Sequence, residues 1–335
     1  MEAAAAGQTE PDPRLEQGGL DASAVYRIAD DLAERHAVAP VADASAFLAQ
    51  LESLARTATQ RRALAESHSA ILRRAHAGRI RRTTGAVEDV LFTLAGMLAL
   101  LLRDGRPTEA NILANRYVDV FPQGATGWSL MPLYLSLRLG AVGGDIEQVD
   151  SMLAPAPPRM VVIGGLSGTG KSALARLIGG WLGGPQGARV LRADVFRKRL
   201  AGVAPETRLP PRHYTRRNDE ESYAALFESA EDHLGCGTSV ILDGAFISRG
   251  EREVAALLAS RARVPFTGIW LEAPEAERAA RVARRIHDAS DADVHVVHDQ
   301  GRRTVGDLGG WHRMRSNRPI DTILPAVRAI LERGR

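Results

Sequence analysis

The chain has 335 residues, 45% hydrophobic and 25% charged, with a formal charge of +3 and a single cysteine, Cys236. That apolar fraction supports a sizeable core in about two domains of roughly 100–200 residues each, and without triplet or heptad repeats collagen-like and coiled-coil classes are excluded. One cysteine excludes an internal disulfide framework and a four-thiolate zinc site, and fits a reducing compartment.

Residues 1–20 mix Ala, Gly, Pro and acids without periodicity and are expected to form a disordered tail. The start lacks the basic and apolar regions of a secretory leader, so a cytoplasmic location without membrane contact is the expectation. From 21 to 153 the pattern is helical. Asp21 and Asp43 each precede an Ala-Ser-Ala step as candidate caps, the second ahead of Phe47, Leu48, Leu51 and Leu54 at helical spacing. The longest apolar stretch, Val90 to Leu102, falls short of the roughly 20 residues of a spanning helix and reads as a buried one. No segment of this half alternates as a strand does, so an all-α domain is expected. Ala154-Pro-Ala-Pro-Pro158 reads as a linker, because its prolines fix φ and lack donors.

A second domain, 159–335, follows. Met160–Ile163, Arg189–Ala193, Ser239–Leu242 and Pro265–Leu271 are short β-prone runs alternating with helical segments, which implies an α/β fold with a parallel sheet and right-handed crossovers. Charge divides with the domains. Residues 1–158 hold 15 Lys+Arg against 19 Asp+Glu, and the remainder 28 against 21, so the second half is the one suited to anions. Of 43 basic residues only Lys171 and Lys198 are lysines, which gives each a specific role to explain.

Lys171 lies in Gly165-Leu166-Ser167-Gly168-Thr169-Gly170-Lys171-Ser172, directly after the first predicted strand and before an amphipathic helix. This is the phosphate-loop pattern in its required context. The glycines let successive N–H groups point at phosphate oxygens, and the helix N-terminus adds positive potential. Lys171 is placed to contact the β- and γ-phosphates of ATP, and Ser172 to hold Mg²⁺. Asp194, after the second strand, is a candidate base for an attacking hydroxyl, and Arg197, three residues on, a candidate anion ligand. Asp243 closes the third strand as a Walker B acid does and is a second candidate for Mg²⁺. Arg278, Arg281 and Arg285 recur at helical spacing as a phosphate clamp, with Glu275 and Glu277 as alternative partners. His287 to Asp293 reads as a lid tip, the alternative being a solvated arginine face followed by Asp291 as a helix cap. His287, His295 and His298 fit no zinc spacing. Arg212 to Arg217 reads as a substrate-side loop in preference to a nucleic-acid surface.

These motifs together resemble the ATP-binding, kinase-type half of the bifunctional aminoglycoside phosphotransferase/ATP-binding proteins, related to gluconate, chloramphenicol and polynucleotide 5′-hydroxyl kinases. The matching stretches are Gly165–Ser172, Arg192–Leu200, Tyr214-Thr215, Gly237–Phe246, Trp270–Pro274 and Asp288–Ala292. The resemblance implies a P-loop NTPase of nucleoside-kinase type, with Asp194 as general base, Arg197 as substrate-phosphate ligand and Arg281 with Arg285 as lid arginines. Ile28–Pro40, Ala75–Arg82 and Leu98–Tyr117 resemble the helical lobe of the phosphotransferase partner. The His-Gly-Asp catalytic loop and the following metal-binding acid of that partner are absent, so a non-catalytic remnant is expected there. The functional expectation is a Mg²⁺-ATP-dependent kinase acting on a small-molecule hydroxyl. A nucleotide-dependent switch and a polynucleotide 5′-hydroxyl kinase are the alternatives.

Overall fold

The computed structural model describes residues 13–16, 21–83, 85–284 and 288–333. The chain divides into two compact units, Met1–Ala156 with Gly183–Gly187, and Pro157–Leu182 with Ala188–Arg335.

In the first unit the elements are α1 (Ala22–Val38), α2 (Ser45–Leu54), α3 (Ala58–His76), β1 (Ile80–Thr83), β2 (Ala86–Asp89), α4 (Val90–Arg103), α5 (Pro107–Val120), α6 (Gly124–Ser129), α7 (Met131–Ala141) and α8 (Ile146–Ser151). Asp21 caps α1 by accepting the Ala24 N–H at 2.7 Å. Asp43 instead accepts from Ser45 N–H, one residue outside the N-cap of α2, which is Ala44. The α4 helix is the apolar stretch singled out above, and its sides are buried against α5 and α7. Asp89 both caps α4, accepting from Leu91 N–H at 2.8 Å, and pairs with buried Arg74 at 2.6 Å. Fixed donors surround that carboxylate, which lets a charge stay buried.

Two expectations are corrected in this unit. It is not wholly α-helical: β1 and β2 form an antiparallel hairpin across the Arg-rich segment following α3. Strands of four residues, one of them Ile-Arg-Arg-Thr and the other Ala-Val-Glu-Asp, have too little alternation to read, and Gly85, at φ +89°, marks the turn. Nor is the whole of 1–20 without structure, because Pro13–Glu16 form a 3₁₀ turn. Leu15 is buried there, and its carbonyl accepts from Arg106 at 2.9 Å.

The second unit contains β3 (Met160–Gly165), α9 (Lys171–Gly179), β4 (Arg189–Arg192), α10 (Ala193–Leu200), α11 (Arg216–Gly235), β5 (Val240–Asp243), α12 (Arg249–Ala262), β6 (Phe266–Glu272), α13 (Glu275–Ala283), α14 (Val294–Gly301), β7 (Trp311–Arg315) and α15 (Leu324–Arg333). The five strands form a parallel sheet in the order β4-β5-β3-β6-β7. β3 lies at the centre and is buried on both faces, with Met160 and Val162 in one apolar cluster and Val161 and Ile163 in the other. The edge strand β7 lies beyond the four predicted runs. Its sequence, Trp-His-Arg-Met-Arg, is mostly exposed and charged, as edge strands are, so no apolar run announces it. Parallel pairing brings the carboxyl ends of β3, β4 and β5 to one edge, where open α/β sheets bind ligands.

Candidate active site

The segment Gly165–Ser172 connects β3 to α9, with Lys171 and Ser172 opening the helix after Gly170 as N-cap. Gly165 and Gly168 have φ of +144° and +85°, which side chains other than glycine rarely accept. A Cβ on Gly168 would sit 2.5 Å from the carbonyl oxygen of Arg278, and one on Gly165 2.6 Å from that of Leu271. Gly168→Ala is therefore expected to push the loop off its support, costing about 1–3 kcal/mol of stability and at least tenfold in nucleotide affinity, read by thermal melting and calorimetric titration. Side chains brace the loop from outside. Gln300 accepts the Ser167 N–H at 2.7 Å, Ser316 donates to the Thr169 carbonyl at 2.6 Å, and Lys171 Nζ reaches back across the turn to the Leu166 carbonyl at 3.1 Å.

Asp194 sits in the first turn of α10. It does not cap the helix: the N-cap is Arg192, and no side-chain cap bond is made there. Burial raises the Asp194 pKa above the usual carboxylate range, opposed by Arg192 and Arg197 and reinforced by Asp243 and Asp288. Those four charges share one electrostatic neighbourhood with Asp194, and the candidate metal acid Asp243 is among them. Asp243 is buried at the end of β5. Arg192 joins it to the phosphate loop, its Nε 3.3 Å from Asp243 Oδ2 and its Nη2 3.3 Å from Ser172 Oγ, while Nη2 also donates to Asp288 at 2.7 Å.

Ser172 Oγ and Asp243 thus lie within reach of one guanidinium. A hydroxyl and a carboxylate are the hard oxygen donors that Mg²⁺ takes, with phosphate oxygens and water completing its shell, so these two residues fit the ion. Among the described residues no group of three or more His, Cys, Asp or Glu is placed to hold a metal ion by itself.

Arg197 pairs with Asp219 at 2.7 Å and lies over the Tyr214 ring, 5.1 Å from its centroid. Its Nε is buried without a hydrogen-bond partner. Of the three clamp candidates, Arg278 is buried and braces backbone, 3.5 Å from the carbonyls of Ser167 and Val297. Arg281 reaches the Gly168 carbonyl at 3.5 Å and pairs with Glu277 at 3.0 Å, so it stands at the loop's rim. Arg285 and His287 lie outside the described residues. Arg216 and Arg217 form exposed i,i+4 pairs with Glu220 and Glu221.

Sequence reasoning missed a second polar cluster. Asp291 is no helix cap; that role belongs to Asp293, which accepts from Val296 N–H at 3.0 Å. Asp291 instead accepts from Lys198 and Tyr214 and from Leu209 N–H, so burial, which would raise its pKa, is outweighed and the pKa is lowered. The scarcity of lysine was the available signal, since Lys198 is the second of only two. Removing one partner of a buried pair strands the other charge. Lys198→Met is expected to cost about 3 kcal/mol, with part recovered when Asp291→Asn is added, as a urea-denaturation cycle would show.

Glu251, in the first turn of α12, accepts from Ser248 N–H at 3.3 Å. Burial raises its pKa from 4.5 to about 7, against the Ser248 bond and with Asp219 adding to the rise. The folded state therefore binds this proton more tightly than the unfolded chain, and stability present at low pH is lost as pH rises from 4.5 to about 7. Glu251→Gln is expected to melt higher than the parent at about pH 8 and to match it below about pH 4.

Residues 160–305 match the AAA domain family model. An uncharacterized protein of Mycobacterium tuberculosis is 31% identical over 182 residues, covering 53% of this chain and 34% of that relative. The chain thus spans about a third of the length of the curated relatives it matches. Among solved structures, a gluconokinase from Sinorhizobium meliloti is 18% identical over 52% of this chain and 93% of its own, with a TM-score of 0.39. The APS kinase CysC of Mycobacterium tuberculosis, in complex with AMPPNP and APS, is 22% identical over 53% and 99%, with a TM-score of 0.37. The phosphate-loop pattern Gly165–Ser172 lies within the stretch that matches the AAA domain model.

Proposed function

We propose that the protein is a Mg²⁺-ATP-dependent kinase that transfers the γ-phosphate to a hydroxyl of a small molecule. The observation that carries this reading is the electrostatic neighbourhood of Asp194. A carboxyl group whose pKa is raised by burial, within the electrostatic influence of Arg192, Arg197 and Asp243, opens α10 just after β4, whose last residue Arg192 is in register with Asp243 of β5. A base so tuned takes a proton more readily than an ordinary carboxylate.

The loop amides and Lys171 hold the β- and γ-phosphates, and Ser172 and Asp243 hold the metal. Bound there, Mg²⁺ offsets the negative charge that develops on the bridging oxygens. Arg197 orients the acceptor, and Asp194 removes the proton of its hydroxyl. The acceptor oxygen forms the new bond to the γ-phosphorus, the bond to the β,γ-bridging oxygen breaks, and ADP leaves with that electron pair. Arg281, with Arg285, stabilises the group in transfer. The helical unit is non-catalytic in this reading, which for that unit rests on the sequence resemblance to aminoglycoside phosphotransferases. Pairing of Arg216 and Arg217 with glutamates gives the nucleic-acid alternative no support.

A metabolite-library screen for transfer of labelled γ-phosphate, with the Lys171→Ala protein as control, tests the proposal. A labelled product formed only by the parent protein is the expected result. ATP consumed without any labelled product would favour the switch.

A further inference from the structure

Arg192 donates to both side-chain oxygens assigned above to the metal, and to a third acceptor beyond them. Its bonds to Ser172 Oγ and Asp243 Oδ2 are both 3.3 Å, whereas that to Asp288 Oδ1 is 2.7 Å. The guanidinium is a rigid planar fork that stays charged at any working pH, so it cannot retreat by losing a proton. A carboxylate that already faces a guanidinium is a poorer ligand for a divalent ion, and a cation beside the site repels the incoming one. Asp288 offers Arg192 its other place. That carboxylate also accepts from Ser290 N–H at 3.0 Å, and it belongs to the segment between α13 and α14, a different element from α9 and β5, which carry the metal ligands.

We propose that Arg192 is a built-in counter-ion that competes with the divalent cation for Ser172 and Asp243, and that metal loading displaces it from these two while Asp288, to which it already donates, retains it. The proposal rests on the reading of Ser172 and Asp243 as metal ligands. It makes metal entry an exchange of cations, coupled to the position of the segment that begins at Asp288. Arg192 is thereby a positioning residue, setting how strongly metal and nucleotide reinforce each other.

Fluorescence titration with an N-methylanthraniloyl ATP, in Mg²⁺ and in EDTA, measures that reinforcement as a ratio of dissociation constants without reference to turnover. In Arg192→Met the ratio is expected to grow at least fivefold, because the ion no longer displaces a guanidinium, while metal-free affinity stays within twofold. Asp288→Asn removes the alternative partner, so the ratio is expected to fall at least twofold. Opposite shifts from two substitutions beside one site are not a consequence of general unfolding. An unchanged ratio in Arg192→Met, or a tenfold loss of metal-free affinity showing that Arg192 grips phosphate, overturns the proposal. Failure of the parent protein to bind the nucleotide in either condition would instead remove the reading of the site on which it rests.

Discussion

Replacing Asp194 by Asn is expected to lower phosphoryl transfer about a hundred- to ten-thousandfold while leaving the affinity for Mg²⁺-ATP within about threefold. The amide keeps the shape and the position in the first turn of α10 but accepts no proton. The parent rate should rise with pH as Asp194 deprotonates, and because burial places that pKa above the ordinary range, the acid limb lies above ordinary carboxylate titration. That limb should vanish in the variant. Stability should move the other way. A carboxyl with a raised folded-state pKa contributes stability below its unfolded pKa that is lost as pH rises through the folded one, so Asp194→Asn should melt higher than the parent at neutral pH. Normal turnover in this variant would remove Asp194 as base.

Lys171→Ala is expected to weaken Mg²⁺-ATP binding about ten- to a hundredfold, the loss of one or two charge-assisted hydrogen bonds. Transfer at saturating ATP should fall further, by about a thousandfold, since the ammonium meets charge that grows on the oxygens between the β- and γ-phosphorus in the transition state. Because its Nζ reaches the Leu166 carbonyl at 3.1 Å across the loop, a structural contribution must be separated from the electrostatic one. Lys171→Arg keeps the charge but changes the shape of the donor group, so it should restore binding better than transfer. Single-turnover quench measurements on the parent and both variants resolve the two effects.

The phosphate loop was legible because it is contiguous: eight residues carry both the backbone shape and the charges. Asp243 was legible as an acid closing an apolar run, and Asp194 as an acid just after the second strand. Arg192 was not, because its partners Ser172, Asp243 and Asp288 stand 20, 51 and 96 residues away and meet only when the sheet assembles. Lys198 and Asp291, 93 residues apart, were hidden for the same reason. Parallel strands bring distant residues to one edge, and periodicity within a segment carries no trace of which neighbours meet there. The β1–β2 hairpin and β7 escaped notice because short, charged strands lack the apolar alternation by which strands are read. For Arg278, helical spacing reports direction but not what lies opposite, here the Ser167 and Val297 carbonyls.

Isothermal titration of the parent protein with ATP in Mg²⁺ tests most directly whether the Gly165–Ser172 turn grips a triphosphate. A single saturable site that weakens at least tenfold in Lys171→Ala is the predicted result, and no heat with ATP or any other purine triphosphate would contradict it.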